Sequence, residues 1–192
     1  MTSSSNALRP AVFLDRDGVL NRVVWREGKP ASPRAVDELE IEPEAHEALA
    51  ALRAAGYLLL VVTNQPDVRR GLMPAEALDA IHVRLAQTLP VDDIAACTHD
   101  NADDCACRKP KPGMLLELSR RHGVDLSRSW MVGDQDRDIA CGKAAGCRTI
   151  LLERFYNSGA NSHPDMGSGA VVETLLQAVF VIVGQPTIAM AT

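Results

Sequence analysis

The 192-residue chain lacks any apolar run near the ~20 residues that a bilayer span needs. Its longest, Leu58 to Val62 and Ala178 to Val183, suit buried elements instead. The basic start and apolar stretch of a secretory leader are also missing, because Met1 to Asn6 is Ser-rich. A cytoplasmic protein is therefore expected, with residues 1–8 as a frayed tail. There is no excess of positive charge: the formal net charge of -5 leaves no electrostatic footprint for nucleic acid. Neither G-x-x-x-x-G-K-[ST] nor G-x-G-x-x-G occurs, so P-loop nucleotide hydrolysis and dinucleotide binding have no motif behind them. The five cysteines (Cys97, Cys105, Cys107, Cys141, Cys147) do not read as a disulfide framework in an unexported chain. Nothing implies an obligate protein partner.

What is present is an ordinary soluble composition, 46% apolar and 23% charged, in a length that suits one domain over residues 1–192. Short apolar runs alternate with amphipathic segments. Ala11 to Leu14 reads as a first buried strand, and Pro43 to Ala55 as a helix with Ala48, Leu49 and Leu52 on one face and Gly56 past its end. Tyr57 to Val62 has the continuous apolar character of a parallel strand. Pro74 opens a second helix that aligns Leu78, Ile81, Leu85 and Leu89, and a short strand follows over Ile94 to Cys97. Gly113 to His122 (helix), Trp130 to Val132 (strand), Arg137 to Ala145 (helix) and Arg148 to Leu152 (strand) continue the pattern, with Gly123 and Gly146 as helix stops. Asn157 to Gly169 reads as a surface loop before a final strand and helix over 170–183. The expected fold is α/β: a three-layer Rossmann-like sandwich around a mainly parallel sheet.

In such a sheet ligands bind outside the carboxyl ends of the strands. Three polar clusters fall there: Asp15-Arg16-Asp17-Gly18, Thr63-Asn64-Gln65 and Gly133-Asp134. Carboxylates delivered from two strands make an oxygen-rich pocket suited to magnesium, and magnesium suits phosphate. Any one of these aspartates could be a helix cap or a solvated turn; three at strand ends, with Lys109 added, read as a site.

Phe13-Leu14-Asp15-Arg16-Asp17-Gly18-Val19-Leu20-Asn21, Val61-Val62-Thr63-Asn64-Gln65, Lys109 before Pro110, and Met131-Val132-Gly133-Asp134 with Asp138 resemble the four motifs of the haloacid dehalogenase superfamily, in family order. The resemblance implies a magnesium-dependent phosphatase acting on a small phosphorylated metabolite. Asp15 would be the nucleophile and Asp17 the general acid and base, its proton affinity raised by nearby carboxylates. Thr63 and Lys109 would complete the catalytic set, with Asn64, Gln65 and Arg16 beside the substrate. Magnesium would sit among the Asp15 carboxylate, the Asp17 backbone carbonyl and the Asp134 carboxylate, with Asp138 bracing the site. Asp136 acquires no role.

Cys97-Thr98-His99 and Cys105-Ala106-Cys107 supply the ligand set of a closed tetrahedral zinc site, although spacing this tight is also met in incidental thiols. Such a knot would fix the loop that delivers Lys109. Together with Cys107-Arg108-Lys109-Pro110, it resembles the branch that contains heptose bisphosphate phosphatases and histidinol phosphatases, with no large cap domain. Arg108 would then contact the non-transferred part of the substrate and Arg70 would lie near the entrance. Val19 stands where the family often has Thr, and Gln135 where close relatives carry Lys. Both substrates of that branch stay open, as does a phosphate-binding module without turnover. His46, His82, His122 and His163 read as surface or boundary residues, and Cys141 and Cys147 as small buried hydrophobes.

Overall fold

The computed structural model describes residues 7–157 and 169–184; the start of the expected tail, most of the expected loop over 157–169 and His163 lie outside the described residues. In chain order the elements are β1 (Ala11–Leu14), β2 (Val24–Arg26), β3 (Lys29–Ala31), α1 (Ala45–Ala54), β4 (Leu58–Asn64), α2 (Ala75–Thr88), β5 (Asp93–Cys97), α3 (Gly113–His122), β6 (Trp130–Gly133), α4 (Asp136–Ala145), β7 (Arg148–Leu152), β8 (Ala170–Val172) and α5 (Leu175–Val183). Six strands form one sheet in the order β5-β4-β1-β6-β7-β8, every neighbouring pair parallel.

The alternation of side chains along β1 divides the core. Val12 and Leu14 join Leu59, Val61 and Val132 under Ala48, Leu49 and Leu52 of α1 and Leu175, Ala178 and Ile182 of α5. Ala11 and Phe13 join Leu60, Val62 and Met131 under Leu115 and Leu118 of α3 and Cys141 and Ala145 of α4. Both faces of the sheet are thus covered, which is why its strands are apolar throughout rather than alternating. Each buried Leu or Phe contributes roughly 1.5–3 kcal/mol, so the sheet is held from both sides. Cys141 and Cys147 are buried in the second of these clusters, as small hydrophobes. Because β1 lies between β4 and β6, chain leaving its carboxyl end meets chain leaving both neighbours at one crevice.

The hairpin β2–β3 was not legible. Its strands are three residues each, Pro30 sits inside the second, and its turn is Glu27-Gly28, with both residues at positive φ (51° and 72°), rather than Asn-Gly. It lies between β1 and α1.

Candidate active site

Asp15 follows the last residue of β1, and its backbone N–H donates to Val132 O at 2.9 Å, tying it to β6. Its carboxylate meets the Lys109 ammonium at 2.8 Å, and the same ammonium reaches Asp138 at 2.7 Å and donates to Val62 O at 2.8 Å. Lys109 is buried with all three donors engaged; burial alone would lower its pKa, but Asp138 and Asp15 hold it protonated. Burial pushes the Asp15 carboxyl up to about 7 against the pull of Lys109, with Asp138 and Asp134 adding to the rise. Asp134 is pushed up to about 6, again by burial first and then by Asp138. Three buried carboxylates around one ammonium leave an excess of negative charge.

That excess is the test of the magnesium expectation. Asp15, Asp134 and Asp138 each bring an oxygen within 4.8 Å of the others, a hard donor set that fits a divalent cation. Asp15 and Asp134 line a cavity of about 200 Å³. Asp138 also accepts from Gln135 N at 3.0 Å and grips Lys109, contacts that suit a bracing role. Gly18 lets the loop pass close over this cluster. Its φ of 82° is left-handed, and a Cβ there would collide with the Tyr156 hydroxyl and the Asp134 carboxylate.

Asp17 departs from expectation. Burial would raise its pKa, but Arg16, with hydrogen bonds from Asn21, Ser32 and Gln65, outweighs it and holds the carboxyl below its ordinary value. The distances are 3.0 Å from Arg16 Nη2, 3.0 Å from Asn21 Nδ2, and 2.8 Å each from Ser32 Oγ and Gln65 Nε2. Its proton affinity is therefore lowered by this clamp, not raised by neighbouring carboxylates.

Two expected substrate contacts are corrected by the same geometry. Arg16 is fully buried and spends its guanidinium on Asp17 and on His82 Nε2 at 3.1 Å, so it stands behind the site. Gln65 is also fully buried and donates to Asp17 and to Thr63 Oγ1 at 2.8 Å. Thr63 and Asn64 do line the cavity, and Asn64 brackets the Lys109 backbone, donating to its carbonyl at 3.0 Å and accepting from its N–H at 3.1 Å.

Sequence reasoning missed Tyr156, Ser32, Arg137 and the inward role of His82. Tyr156 donates to Asp134 Oδ2 at 2.8 Å and packs edge-on against Trp25 of the hairpin at 6.1 Å. No local motif announces this pair, because the two aromatic residues are joined only through the fold.

Beyond β5 the four expected zinc ligands converge. Sulfur–sulfur distances are 3.6 Å (Cys97–Cys105), 3.2 Å (Cys97–Cys107) and 3.3 Å (Cys105–Cys107), and His99 Nδ1 lies 3.7 Å from Cys97 and 3.3 Å from Cys107. A tetrahedron with bonds of ~2.3 Å to sulfur and ~2.1 Å to nitrogen has edges of roughly 3.5–3.8 Å, so the donor set fits zinc with slight expansion. The same loop holds Arg108, which donates to Asn101 Oδ1 at 2.7 Å and His99 O at 3.1 Å. Arg108 and Arg70 line a second cavity of about 510 Å³, though Arg70 is tied to Asp100 at 2.6 Å and is less free to meet a ligand than expected.

Fold and site together define a haloacid dehalogenase-like hydrolase, and the HAD-hydrolase-like family model matches residues 106–178. The chain is 37% identical over 150 residues to D-glycero-beta-D-manno-heptose-1,7-bisphosphate 7-phosphatase of Pseudomonas aeruginosa, covering 76% of this chain and 82% of that protein. The enzyme of the same name from Rhodopseudomonas palustris is 37% identical over 165 residues, 80% of this chain and 88% of the other. The crystal structure of D,D-heptose 1,7-bisphosphate phosphatase from B. bronchiseptica, complexed with magnesium and phosphate, superposes with a TM-score of 0.76 at 33% identity, over 91% of this chain and 98% of that one. The chain belongs to this family of haloacid dehalogenase-like phosphatases.

Proposed function

We propose that the chain hydrolyses the C7 phosphate of D-glycero-D-manno-heptose 1,7-bisphosphate through an aspartyl phosphate on Asp15. The observation that carries this reading is a cavity floored by Asp15 and Asp134, with the Lys109 ammonium on Asp15, that shares its wall with a second, cation-lined cavity able to take another phosphate.

Asp15 attacks phosphorus, and the bond from phosphorus to the sugar oxygen breaks. That oxygen takes its proton from Asp17. Water then attacks the aspartyl phosphate and gives a proton back to Asp17, and cleavage of the phosphorus–Asp15 bond frees phosphate. The clamp keeps Asp17 ionised, which suits the second step; to act as an acid in the first, Asp17 must leave Arg16 and carry the proton that it took from water in the preceding turnover. The Thr63 hydroxyl holds a phosphoryl oxygen, and Lys109, whose donors go to Asp15, Asp138 and Val62 O, neutralises the Asp15 carboxylate and can turn to the phosphoryl group once Asp15 is bonded to phosphorus, with Asn64 fixing the Lys109 backbone. Magnesium, held by Asp15, Asp134 and the Asp17 carbonyl, supplies charge neutralisation when bound. Cys97, His99, Cys105 and Cys107 would hold zinc in a structural role, since four protein ligands leave no position for water.

Histidinol phosphate carries a cationic tail, which would face Arg108, Arg137 and Lys29 in the second cavity and be repelled. A cytoplasmic location agrees with the free cysteines, and no helix among the described residues is long and apolar enough to cross a membrane. The test is kcat/KM on both anomers of the heptose bisphosphate, on histidinol phosphate and on p-nitrophenyl phosphate in excess magnesium. A heptose anomer should rank first; a preference for histidinol phosphate would reject this substrate while leaving the phosphatase chemistry standing.

A further inference from the structure

The two cavities share Pro30, Ala31, Ser32, Asn64 and Arg137, and among these only Arg137 is charged. Six cationic side chains line the larger cavity, but their charges are not equally available. Arg26 is paired with Glu38, Arg34 with Asp67 at 2.7 Å and Arg70 with Asp100 at 2.6 Å. Arg108 is held by the neutral oxygens of Asn101 and His99. Lys29 and Arg137 make no side-chain hydrogen bond or ion pair among the described residues, and Lys29 lines the larger cavity but not the smaller. Arg137 is exposed at the second position of α4, where the unsatisfied N–H groups of the helix already concentrate positive charge. A cation there does nothing for the helix. An anion entering across the rim would meet both.

We infer that Arg137 grips the anionic, non-transferred end of the substrate and thereby sets the preference for a bisphosphorylated over a monophosphorylated sugar. The inference rests on the phosphatase reading above and deepens it. Arg137 is well placed for this because, among the described residues, it is the one charged side chain that lines both the cavity where phosphate is removed and the cavity proposed for the second phosphate. Its planar fork offers two parallel hydrogen bonds to phosphate oxygens, which a lysine can replace only in charge.

The experiment compares kcat/KM for heptose 1,7-bisphosphate and heptose 7-phosphate in wild type, Arg137→Ala and Arg137→Lys. A charge-assisted contact of this kind is worth roughly 10- to 100-fold in selectivity. The bisphosphate-to-monophosphate ratio should fall by about that factor in Arg137→Ala, mainly through KM, and recover in part in Arg137→Lys. The thermal midpoint should not fall, because the cation opposes the helix dipole. A wild-type preference that survives in Arg137→Ala overturns the inference and leaves the substrate reading intact, and so does a parallel loss on both substrates. A wild type with no preference for the bisphosphate overturns both.

Discussion

The two clusters of side chains that could hold a metal are linked through Lys109, which follows Cys107 by two residues and pairs with Asp15 and Asp138, yet they are built on opposite terms. The Asp15–Asp134–Asp138 cluster is buried, over-supplied with negative charge and open on one side to a cavity. The Cys97–His99–Cys105–Cys107 cluster has all four corners of a tetrahedron filled by protein, one of them by an exposed histidine. An oxygen site with an open face can exchange ligands and carry out chemistry; a closed sulfur site can only hold chain together. On the proposed function, the difference gives turnover to the first and positioning to the second. The positioned object is the Arg108-Lys109 dipeptide, which joins the two.

The sharpest test of the open site is Asp15→Asn. An amide cannot attack phosphorus, so kcat on any phosphomonoester should fall by about 10⁴-fold or more. Stability should not fall with it, because the change removes one of three crowded carboxylates and leaves Lys109 paired with Asp138. Residual activity above one part in ~10³ would break the assignment of Asp15, given what loss of a nucleophile costs elsewhere.

For the closed site the corresponding change is Cys105→Ser. Zinc should drop from one per chain to near zero by elemental analysis, and a structural site of this kind contributes several kcal/mol or more to order in the segment it closes, so the melting midpoint should fall. Activity should drop about tenfold rather than vanish, because Lys109 keeps its anchors on Val62 O and Asn64. Wild-type protein that carries no zinc and melts unchanged in chelator would erase the comparison.

The contrast itself was legible in the sequence to unequal degrees. Strands and helices followed from apolar runs between Gly and Pro, and the Cys97–His99–Cys105–Cys107 group and the Asp15–Asp134 pair were suggested by residue types, because both are local signals. Three features were not local. The Asp17 clamp depends on Ser32 and Gln65 arriving from separate segments, and it reverses the direction of the pKa shift that the neighbouring carboxylates suggested. Arg16 and Gln65 sit beside proposed catalytic and substrate-binding residues in sequence, yet their side chains are fully buried and do not line the cavity. Tyr156 reaches Asp134 only because β7 runs beside β6 and returns the chain to the same sheet edge.

Tyr156 gives a smaller, sharper test of the open site, because it touches a proposed magnesium ligand without being one. In Tyr156→Phe the ring and its packing against Trp25 remain and only the 2.8 Å bond to Asp134 is lost. Outer partners of this kind are worth ~10-fold or more in metal affinity, so the magnesium concentration for half-maximal activity should rise by about that factor while saturating magnesium restores most of kcat. An unchanged magnesium requirement would show that Asp134 is oriented by Gln135 and the backbone alone.

The smallest effect is a pH dependence that belongs to the open site's support and has no counterpart in the zinc knot. His82 lies on α2 with its Nε2 facing Arg16, and since a guanidinium can only donate, the ring must accept and be neutral. Burial first, and Arg16 second, push its pKa down to about 4. In the unfolded chain it titrates near 6.5. Between those values the unfolded state binds a proton that the folded state refuses, so the stability associated with the neutral ring is complete above about 6.5 and is lost as pH falls toward about 4. The full amount is on the order of 2–3 kcal/mol. His82→Gln keeps an acceptor for Arg16 and removes the titration. Wild type and variant should therefore melt at similar temperatures near neutral pH and diverge below it, the variant losing less stability as carboxylates common to both begin to protonate. Parallel melting curves for the two proteins between pH 7 and 4.5 would show that Arg16, and with it the Asp17 clamp, does not depend on a neutral His82.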